Sequence, residues 1–440
     1  MVALIGSQGS SRAGARHRAA GELQTETGPP NVAAAMRRRG LLLCALALSL
    51  QCGRPPRPGS PSTSPGHTRP TASGEAPAGE PSPRARTLGI PFPGTPGPLD
   101  AITDVPGVEV GHRTLIAGDG KLVVGKGPVR TGVTAIFPRG KTSTDMVFAS
   151  WFSLNGNGEM TGTTWLDEAG QLYGPVLLTN THSVGVVRDT AIKWAFERLS
   201  PSEDLADAFS LPVVAETWDG RLNDIFGFHV HPADVYAALD GAAGGPVAEG
   251  SVGGGTGMVC HGFKGGIGTA SRVVKTAVGE LRVGVLVQCN YGLPSQLGIA
   301  GVPVGAALEA QDHAAGRPPT TEHGSIIVII ATDAPLLPDQ LRRLARRVPL
   351  ALGRMGSVSG DGSGDIFLAF STANPHVADH AIASVKIFPR AEITWLFEAT
   401  VDATEEAIVN ALVAGRTMTG VNGETVEGLP HDRVREILRR

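Results

Sequence analysis

The chain has 440 residues, of which 41% are hydrophobic, and its formal net charge is −3. Residues 1–86 carry 11 Lys or Arg and 4 Asp or Glu, which leaves −10 on the rest of the chain, and an acidic body argues against nucleic acid as a partner. Beyond residue 86 only Cys260 and Cys289 remain, so a disulfide framework and a cysteine metal site are excluded while one bridge stays open.

The first 52 residues have the pattern of a leader. Three arginines after Met36 precede an apolar run of about ten residues, which is typical of a secretory signal over 36–52 and too short to span a bilayer. Residues 1–35 are either an unusual leader or the result of a start codon placed too early, and we favour the second. The signal predicts export to the periplasm or cell envelope.

The signal ends at Cys52, which leaves two interpretations. Leu48-Ser49-Leu50-Gln51-Cys52 is similar to the lipobox of bacterial lipoproteins, in which the cysteine is acylated, although Gln51 replaces the usual small residue. Cys52 is therefore either a lipidated membrane tether or part of a plain secretory signal. Residues 53–86 are rich in Pro, Ser and Gly and poor in apolar side chains, which predicts a disordered tether.

Residues 87–440 are long enough for a single large domain and show no further low-complexity break. We predict strands at 133–137, 175–179 and 213–220, a helix at 190–199, and an amphipathic helix from Pro338 with Leu341, Leu344 and Val348 on one face. The glycine-rich run 250–268 lacks the Gly-Lys-Ser/Thr ending of a phosphate loop. It also lacks the spacing of a dinucleotide site, and we reject both.

Three predicted strands begin or end in polar residues. The strand at 283–292 ends near Asn290, and the glycine-laced turn that carries Ser363 and Asp365 leads into a strand at 366–371. Ser325 precedes five consecutive β-branched residues, a pattern that indicates a strand buried on both faces. Together these ends offer an amide donor for an oxyanion, a hydroxyl nucleophile and an orienting hydroxyl–carboxylate pair.

Ser325 itself has two interpretations. It is a loop residue that satisfies a backbone group at the start of a strand, or it is an N-terminal nucleophile released by cleavage of the Gly324–Ser325 bond. A free α-amino group has a pKa of about 7.7–8.0, so after cleavage the residue would carry both nucleophile and base. Gly324 has no side chain to hinder attack on its carbonyl.

The body resembles the DmpA-type aminopeptidases, serine N-terminal-nucleophile hydrolases that include L-aminopeptidase D-amidase/esterases and β-peptidyl aminopeptidases. Several short motifs carry the resemblance in the right order, and it covers essentially all of residues 88–440. The motifs lie at residues 103–112, 215–220, 288–292, 323–325, 331–335 and 362–365.

The resemblance implies a precursor that cuts itself into an α-chain (87–324) and a β-chain (325–440). It also implies an α+β fold, a four-layer αββα sandwich shared with ornithine acetyltransferase, with no metal or organic cofactor and a homotetramer of αβ units. Ser325 would be the nucleophile and Asn290 the oxyanion donor. Ser363 and Asp365 would orient the nucleophile, and some relatives carry Glu at the latter position.

Two residues of the 215–220 motif bear on the substrate. Some members have a tyrosine in this stretch whose hydroxyl assists the oxyanion, whereas this chain has Trp218, whose indole N–H is only a donor. Glu216 either grips the substrate's ammonium group by a charge-assisted hydrogen bond or pairs with a neighbouring basic residue.

The sequence thus supports three hypotheses. The first is a self-processing aminopeptidase that forms an acyl-enzyme on Ser325 and releases N-terminal residues from short peptides, amides or esters. The second is an acyltransferase of the ornithine-acetyltransferase type, against which the serine weighs because that family uses threonine. The third is a non-catalytic envelope protein that keeps the fold for binding.

Overall fold

Two β-sheets face each other in the computed structural model, which describes residues 83–199, 211–277, 279–313, 324–379 and 381–439. The strands are β1 (Glu109–Ala117), β2 (Val129–Phe137), β3 (Val147–Ser153), β4 (Gln171–Leu172), β5 (Val176–Asn180), β6 (Val213–Thr217), β7 (Val259–Cys260), β8 (Phe263–Lys264), β9 (Gly266–Thr276), β10 (Gly279–Asn290), β11 (Ser325–Thr332), β12 (Gly364–Ser371), β13 (Met418–Thr419) and β14 (Thr425–Val426). The helices are α1 (Thr163–Ala169), α2 (Val184–Leu199), α3 (Pro232–Asp240), α4 (Val304–His313), α5 (Pro338–Ala345), α6 (Val348–Arg354), α7 (Ile393–Ala414) and α8 (His431–Leu438).

The larger sheet has the strand order β4-β3-β12-β11-β10-β9. Its centre is β11, which pairs antiparallel with β10 and parallel with β12. All eight residues of β11 are buried, as expected of an unbroken apolar run covered on both faces. The smaller sheet has the order β1-β2-β5-β6, and α2 connects its parallel pair β5 and β6.

Three hydrophobic clusters define four layers. Between the sheets, Ile327 and Ile329 of β11 pack with Leu178 and Ala215 of the smaller sheet. The alternate β11 residues, including Val328, face a second cluster with α5, α6 and α7, and a third cluster joins α2 and α3 to the smaller sheet. This αββα arrangement is the predicted four-layer α+β sandwich.

The longest helix, α7, escaped the sequence-based prediction. It lies directly against β9, where a Cβ atom on Gly268 would come within 2.0 Å of the Ala407 carbonyl oxygen. The glycine is therefore required for this close approach of helix and strand. Eighteen of the 22 residues of α7 are buried, so the helix does not show the exposed polar face by which amphipathic helices are recognised.

The predicted strands are confirmed at β2, β5, β6, β10, β11 and β12, and the predicted helix at 190–199 is the second half of α2. The helix predicted from Pro338 is two helices instead of one. Ala345 ends α5 and Val348 begins α6, which carries a proline in its first turn, where a proline is tolerated.

The glycine-rich run folds between the sheets. A Cβ atom on Gly254 would lie 2.2 Å from Gln288 Oε1 and 2.7 Å from the Leu178 carbonyl oxygen, so these glycines allow close packing. Next to this run, Cys260 and Cys289 form a disulfide that joins β7 to β10. The bridge left open by the sequence is thus present.

The predicted leader, the tether to residue 82, Cys52 and His323 lie outside the described residues. In the described part of the chain, no helix is long and apolar enough to cross a membrane.

Candidate active site

Ser325 is the first residue of β11, at the end of the sheet where β10 finishes and β12 begins. Since side chains alternate along a strand, Ser325 points to the same side as Ile327 and Ile329, between the two sheets. Its Oγ accepts a hydrogen bond from the Gly364 N–H, 3.2 Å away. Sequence analysis missed this backbone donor, because a glycine in a turn carries no chemical signal of its own.

Asn290 lies directly opposite Ser325 in the antiparallel ladder, so the two side chains are neighbours on one face of the sheet. Its Oδ1 accepts from the Val259 N–H at 2.7 Å, and its Nδ2 donates to the Trp218 carbonyl oxygen at 2.9 Å. One backbone donor and one backbone acceptor thereby assign the oxygen and the nitrogen of the Asn290 side-chain amide. Among the described residues, the second N–H of Nδ2 has no acceptor, so it can serve a ligand.

Ser363 and Asp365 form the predicted pair, with the Ser363 hydroxyl donating to Asp365 Oδ1 over 2.6 Å. Asp365 is two residues before Phe367 on β12, so both side chains lie on the helix-covered face of the sheet. The Ser325 side chain lies on the other face. Burial raises the pKa of Asp365, against the opposing effect of hydrogen bonds from the Ser363 and Ser359 hydroxyls and the Ile326 backbone N–H. The carboxyl group therefore reaches the backbone beside the nucleophile.

Glu216, on β6 of the opposite sheet, is buried at the cleft wall. Its carboxylate accepts hydrogen bonds from the Thr181 hydroxyl and from the Glu159 N–H, the latter at 3.0 Å. Burial raises the pKa of Glu216, while these two hydrogen bonds and the nearby His182 oppose the rise. Within the described residues no lysine or arginine forms an ion pair with this carboxylate, which leaves its charge available to a ligand.

A cleft of about 450 Å³ connects Ser325 with Glu216, and Asn290 lies beside Ser325 in the strand pair below its lining. It is lined by Asn157, Thr181, Glu216, Trp218, Gly324, Ser325 and Gly362. A larger depression of about 550 Å³ at the C-terminal helix is lined by Asp432, Arg435, Glu436 and Arg439 and offers no nucleophile. The depression has the larger volume, but the cleft contains the hydroxyl and the carboxylate that an active site needs.

Sequence analysis missed Asn157 and Thr181 in the cleft, and Asn155, whose amide donates to Asp365 Oδ2 over 3.4 Å. The available signal was position, because Thr181 follows the end of β5 and the two asparagines follow the end of β3. Within the residues that the structure describes, no group of three or more His, Cys, Asp or Glu side chains could hold a metal ion.

Comparison with protein families matches residues 100–426 to the model described as peptidase family S58. A β-peptidyl aminopeptidase, BapA, of Sphingosinicella microcystinivorans is 54% identical over 370 residues, covering 81% of this chain and 92% of the relative. The BapA of Sphingosinicella xenopeptidilytica is 51% identical over 372 residues, covering 81% and 91%.

Solved structures have the same fold. A β-aminopeptidase from a Burkholderia species has a TM-score of 0.74 at 48% identity, covering 81% of this chain and 98% of its own. An L-aminopeptidase D-Ala-esterase/amidase from Ochrobactrum anthropi, described as a prototype of the serine aminopeptidases with a variant of the Ntn hydrolase fold, has a TM-score of 0.75 at 46% identity. The match covers 81% of this chain and 98% of that one.

Proposed function

The chain belongs to peptidase family S58, and from that membership we propose a self-processing serine aminopeptidase that acts through an acyl-enzyme on Ser325. The observation that carries this proposal is that one cleft is lined by a hydroxyl, Ser325, and a buried carboxylate, Glu216, with the amide of Asn290 directly beside the hydroxyl in the strand pair. Each group meets one need of aminopeptidase chemistry: attack on a carbonyl, stabilisation of the oxyanion, and recognition of a free amine.

The first reaction is cleavage of the chain itself. The Ser325 hydroxyl adds to the Gly324 carbonyl carbon, the C–N bond breaks, and the resulting ester is hydrolysed by water. A Cβ atom on residue 324 would lie 2.0 Å from the Asn290 carbonyl oxygen, so only glycine fits where the scissile carbonyl approaches the nucleophile. The products are a chain that ends at Gly324 and one that starts at Ser325.

The second reaction uses the amine that cleavage creates. The α-amino group of Ser325 takes the proton of its own hydroxyl, which attacks the carbonyl of the substrate's N-terminal residue. The free Nδ2 hydrogen of Asn290 stabilises the oxyanion, and Glu216 binds the substrate's ammonium group. Asp365 holds the new amine, because its carboxyl group contacts the backbone N–H of Ile326, the residue after Ser325, and Ser363 orients that carboxyl group through its hydrogen bond to Oδ1.

Intact mass measurement of the purified full chain tests the mechanism. We expect a fragment that begins at Ser325, together with release of p-nitroaniline from aminoacyl p-nitroanilides. Full hydrolytic activity from an uncut chain would contradict the mechanism. Product yields with water or an amine as acceptor separate the hydrolase from an acyltransferase.

For the substrate, we propose peptides and amides with an N-terminal β-amino acid. The support is that two relatives more than 50% identical are β-peptidyl aminopeptidases. The Ochrobactrum relative, an L-aminopeptidase D-Ala-esterase/amidase, makes L-residues and D-alanine the alternatives. A matched panel of L-, D- and β-aminoacyl p-nitroanilides decides, since we expect the largest kcat/KM for the β-substrates.

We further propose that the protein is exported, carries a lipid on Cys52, and assembles into a tetramer of αβ units. Metabolic labelling with a fatty acid should mark the wild-type chain and leave Cys52→Ala unmarked. Mass photometry of the processed protein should give four times the mass of one αβ unit. An unlabelled wild-type chain would favour the plain secretory signal.

A further inference from the structure

Behind Asn290 lies a small hairpin formed by β7 and β8, in which Val259 pairs with Lys264. The hairpin holds the oxyanion amide at two points. Its Val259 N–H donates to Asn290 Oδ1, and the disulfide joins Cys260 to Cys289, the residue before Asn290. The position of Asn290 therefore depends on how this hairpin is itself held.

Lys264 is the last residue of β8, at the open end of the hairpin, and its side chain is completely buried. Its Nζ donates to the Met258 carbonyl oxygen at 2.7 Å and to the Gly265 carbonyl oxygen at 3.0 Å. Burial lowers the pKa of Lys264 to about 7, with no contribution from a charged neighbour within the described residues. Because an amine buried without a carboxylate is costly, its presence here calls for a reason.

The reason lies in the connectivity of one peptide group. The Met258 carbonyl and the Val259 N–H are the two ends of the same peptide unit. Lys264 Nζ bonds to its oxygen, and Asn290 Oδ1 accepts from its nitrogen. Hydrogen bonds in such a chain polarise one another, so the amine donor at one end strengthens the next bond, and most strongly in its protonated form. The last member of this chain is the Asn290 amide, whose spare N–H faces the nucleophile's side of the sheet.

We propose that Lys264 is a positioning residue for the oxyanion donor, acting through the Met258–Val259 peptide group to fix and polarise the Asn290 amide. The inference rests on the proposed role of Asn290 in aminopeptidase catalysis. A positioning role and a purely structural role of Lys264 affect different measurable quantities. A lysine that only closes a hairpin contributes to stability, whereas one that acts through Asn290 contributes to the transition state, in which the oxyanion exists.

The test replaces Lys264 by methionine, which has a similar length and no charge, in the full chain. For the fraction cleaved at Ser325, we expect kcat to fall about tenfold with KM within about twofold of the wild type, as for a weakened oxyanion donor. Lys275→Met, the same change at an exposed position of β9, is the matched control and should leave both constants unchanged. Lys264→Gln keeps a neutral donor, so its kcat should lie between those of the wild type and Lys264→Met. If Lys264→Met does not fold, Lys264→Gln is the variant that tests the proposal.

A second readout isolates the oxyanion. A β-aminoacyl aldehyde forms a hemiacetal when Ser325 Oγ adds to its carbonyl carbon, so its affinity depends on Asn290, whereas the free β-amino acid product makes no such adduct. We expect Lys264→Met to weaken the binding of the aldehyde about tenfold and the binding of the product by less than about twofold. Equal losses for both ligands, or a folded variant with wild-type kcat, would overturn the inference. A wild-type enzyme without turnover would instead refute the proposed function.

Discussion

The two walls of the cleft are built differently. On the larger-sheet wall, Asn290 and Ser325 are opposed in one ladder and only 2% and 5% exposed, so strand pairing sets their separation. On the smaller-sheet wall, Glu216 lies near the end of β6 and Trp218 lies beyond it, with 43% of its surface exposed. The reacting groups are thus set by the pairing of two buried strands, whereas the smaller-sheet wall combines one buried carboxylate, Glu216, with the exposed ring of Trp218.

This difference teaches where the enzyme tolerates change. A group held by strand register and backbone hydrogen bonds cannot be replaced without loss of the chemical step. A side chain of the smaller-sheet wall, which meets the substrate away from the reacting carbonyl, mainly changes which substrate binds and how tightly. Substitutions on the two walls should therefore separate into effects on kcat and effects on KM.

The largest effect is expected from Ser325→Ala on the larger-sheet wall. Without the hydroxyl there is no nucleophile for either reaction, so the chain should stay intact and kcat should fall by at least about 10⁴-fold. Intact mass and p-nitroanilide turnover measure the two outcomes. Ser325→Thr retains a hydroxyl and should still cleave in part, and a cleaved Ser325→Ala chain would contradict the assignment.

Asn290→Ala should have the next largest effect. Loss of one oxyanion donor typically costs about 10²–10³-fold in kcat, and KM should change far less. Initial rates on the processed fraction give both constants. Asn290→Asp is the matched variant, because it keeps the size and places a carboxylate where negative charge develops, so it should be at least as damaging. A loss of less than about tenfold in both variants would remove Asn290 from the oxyanion site.

The larger-sheet wall was also the part that the sequence predicted best. Ser325 precedes an unbroken run of β-branched residues, so its place at the start of a buried strand followed from the local sequence pattern alone. The polar ends of the predicted strands also selected Asn290, Ser363 and Asp365, to which the family resemblance then gave roles, and strand pairing brings all of them to one end of the sheet. The positions of polar residues at the ends of strands can therefore be predicted from a single chain, whereas their roles here stay predictions.

Contacts made by backbone atoms or across distant loops could not be read in this way. The Gly364 N–H at Ser325 and the Thr181 hydroxyl at Glu216 depend on which strands pair within each sheet, β11 with β12 and β5 with β6, which no local pattern encodes. The buried helix α7 lacked a polar face, and the break between α5 and α6 was hidden by a continuous apolar stripe. These features follow from tertiary packing, which overrides local periodicity.

On the smaller-sheet wall, Glu216→Gln should act mainly on KM. A charge-assisted hydrogen bond to the substrate ammonium is replaced by a neutral one, so kcat/KM should fall about 10- to 100-fold, with most of the change in KM. Because burial raises the pKa of Glu216, the wild-type KM should begin to rise at a higher pH than an ordinary glutamate would give, as acidification removes the charge. The variant's KM should stay high and independent of this titration.

A matched substrate pair checks this assignment. An aminoacyl p-nitroanilide and its N-acetylated form differ in the ammonium group, and the wild type should strongly prefer the free amine. Glu216→Gln should narrow that preference. An unchanged preference would assign Glu216 to the alternative structural role of holding Thr181 and the Glu159 backbone.

The smallest effect is expected at Trp218, where the two walls touch. Its backbone carbonyl holds the Asn290 amide, while its indole ring packs against Gly220 and lines the cleft. Trp218→Tyr keeps the carbonyl, so kcat should stay within about threefold of the wild type, and KM should shift according to substrate size. Trp218→Phe has no polar atom on its ring and separates the effect of ring size from that of a hydroxyl. If tyrosine raised kcat more than about tenfold over phenylalanine, the new hydroxyl would be acting on the oxyanion, and the open wall would share in the chemistry that we assign to the buried one.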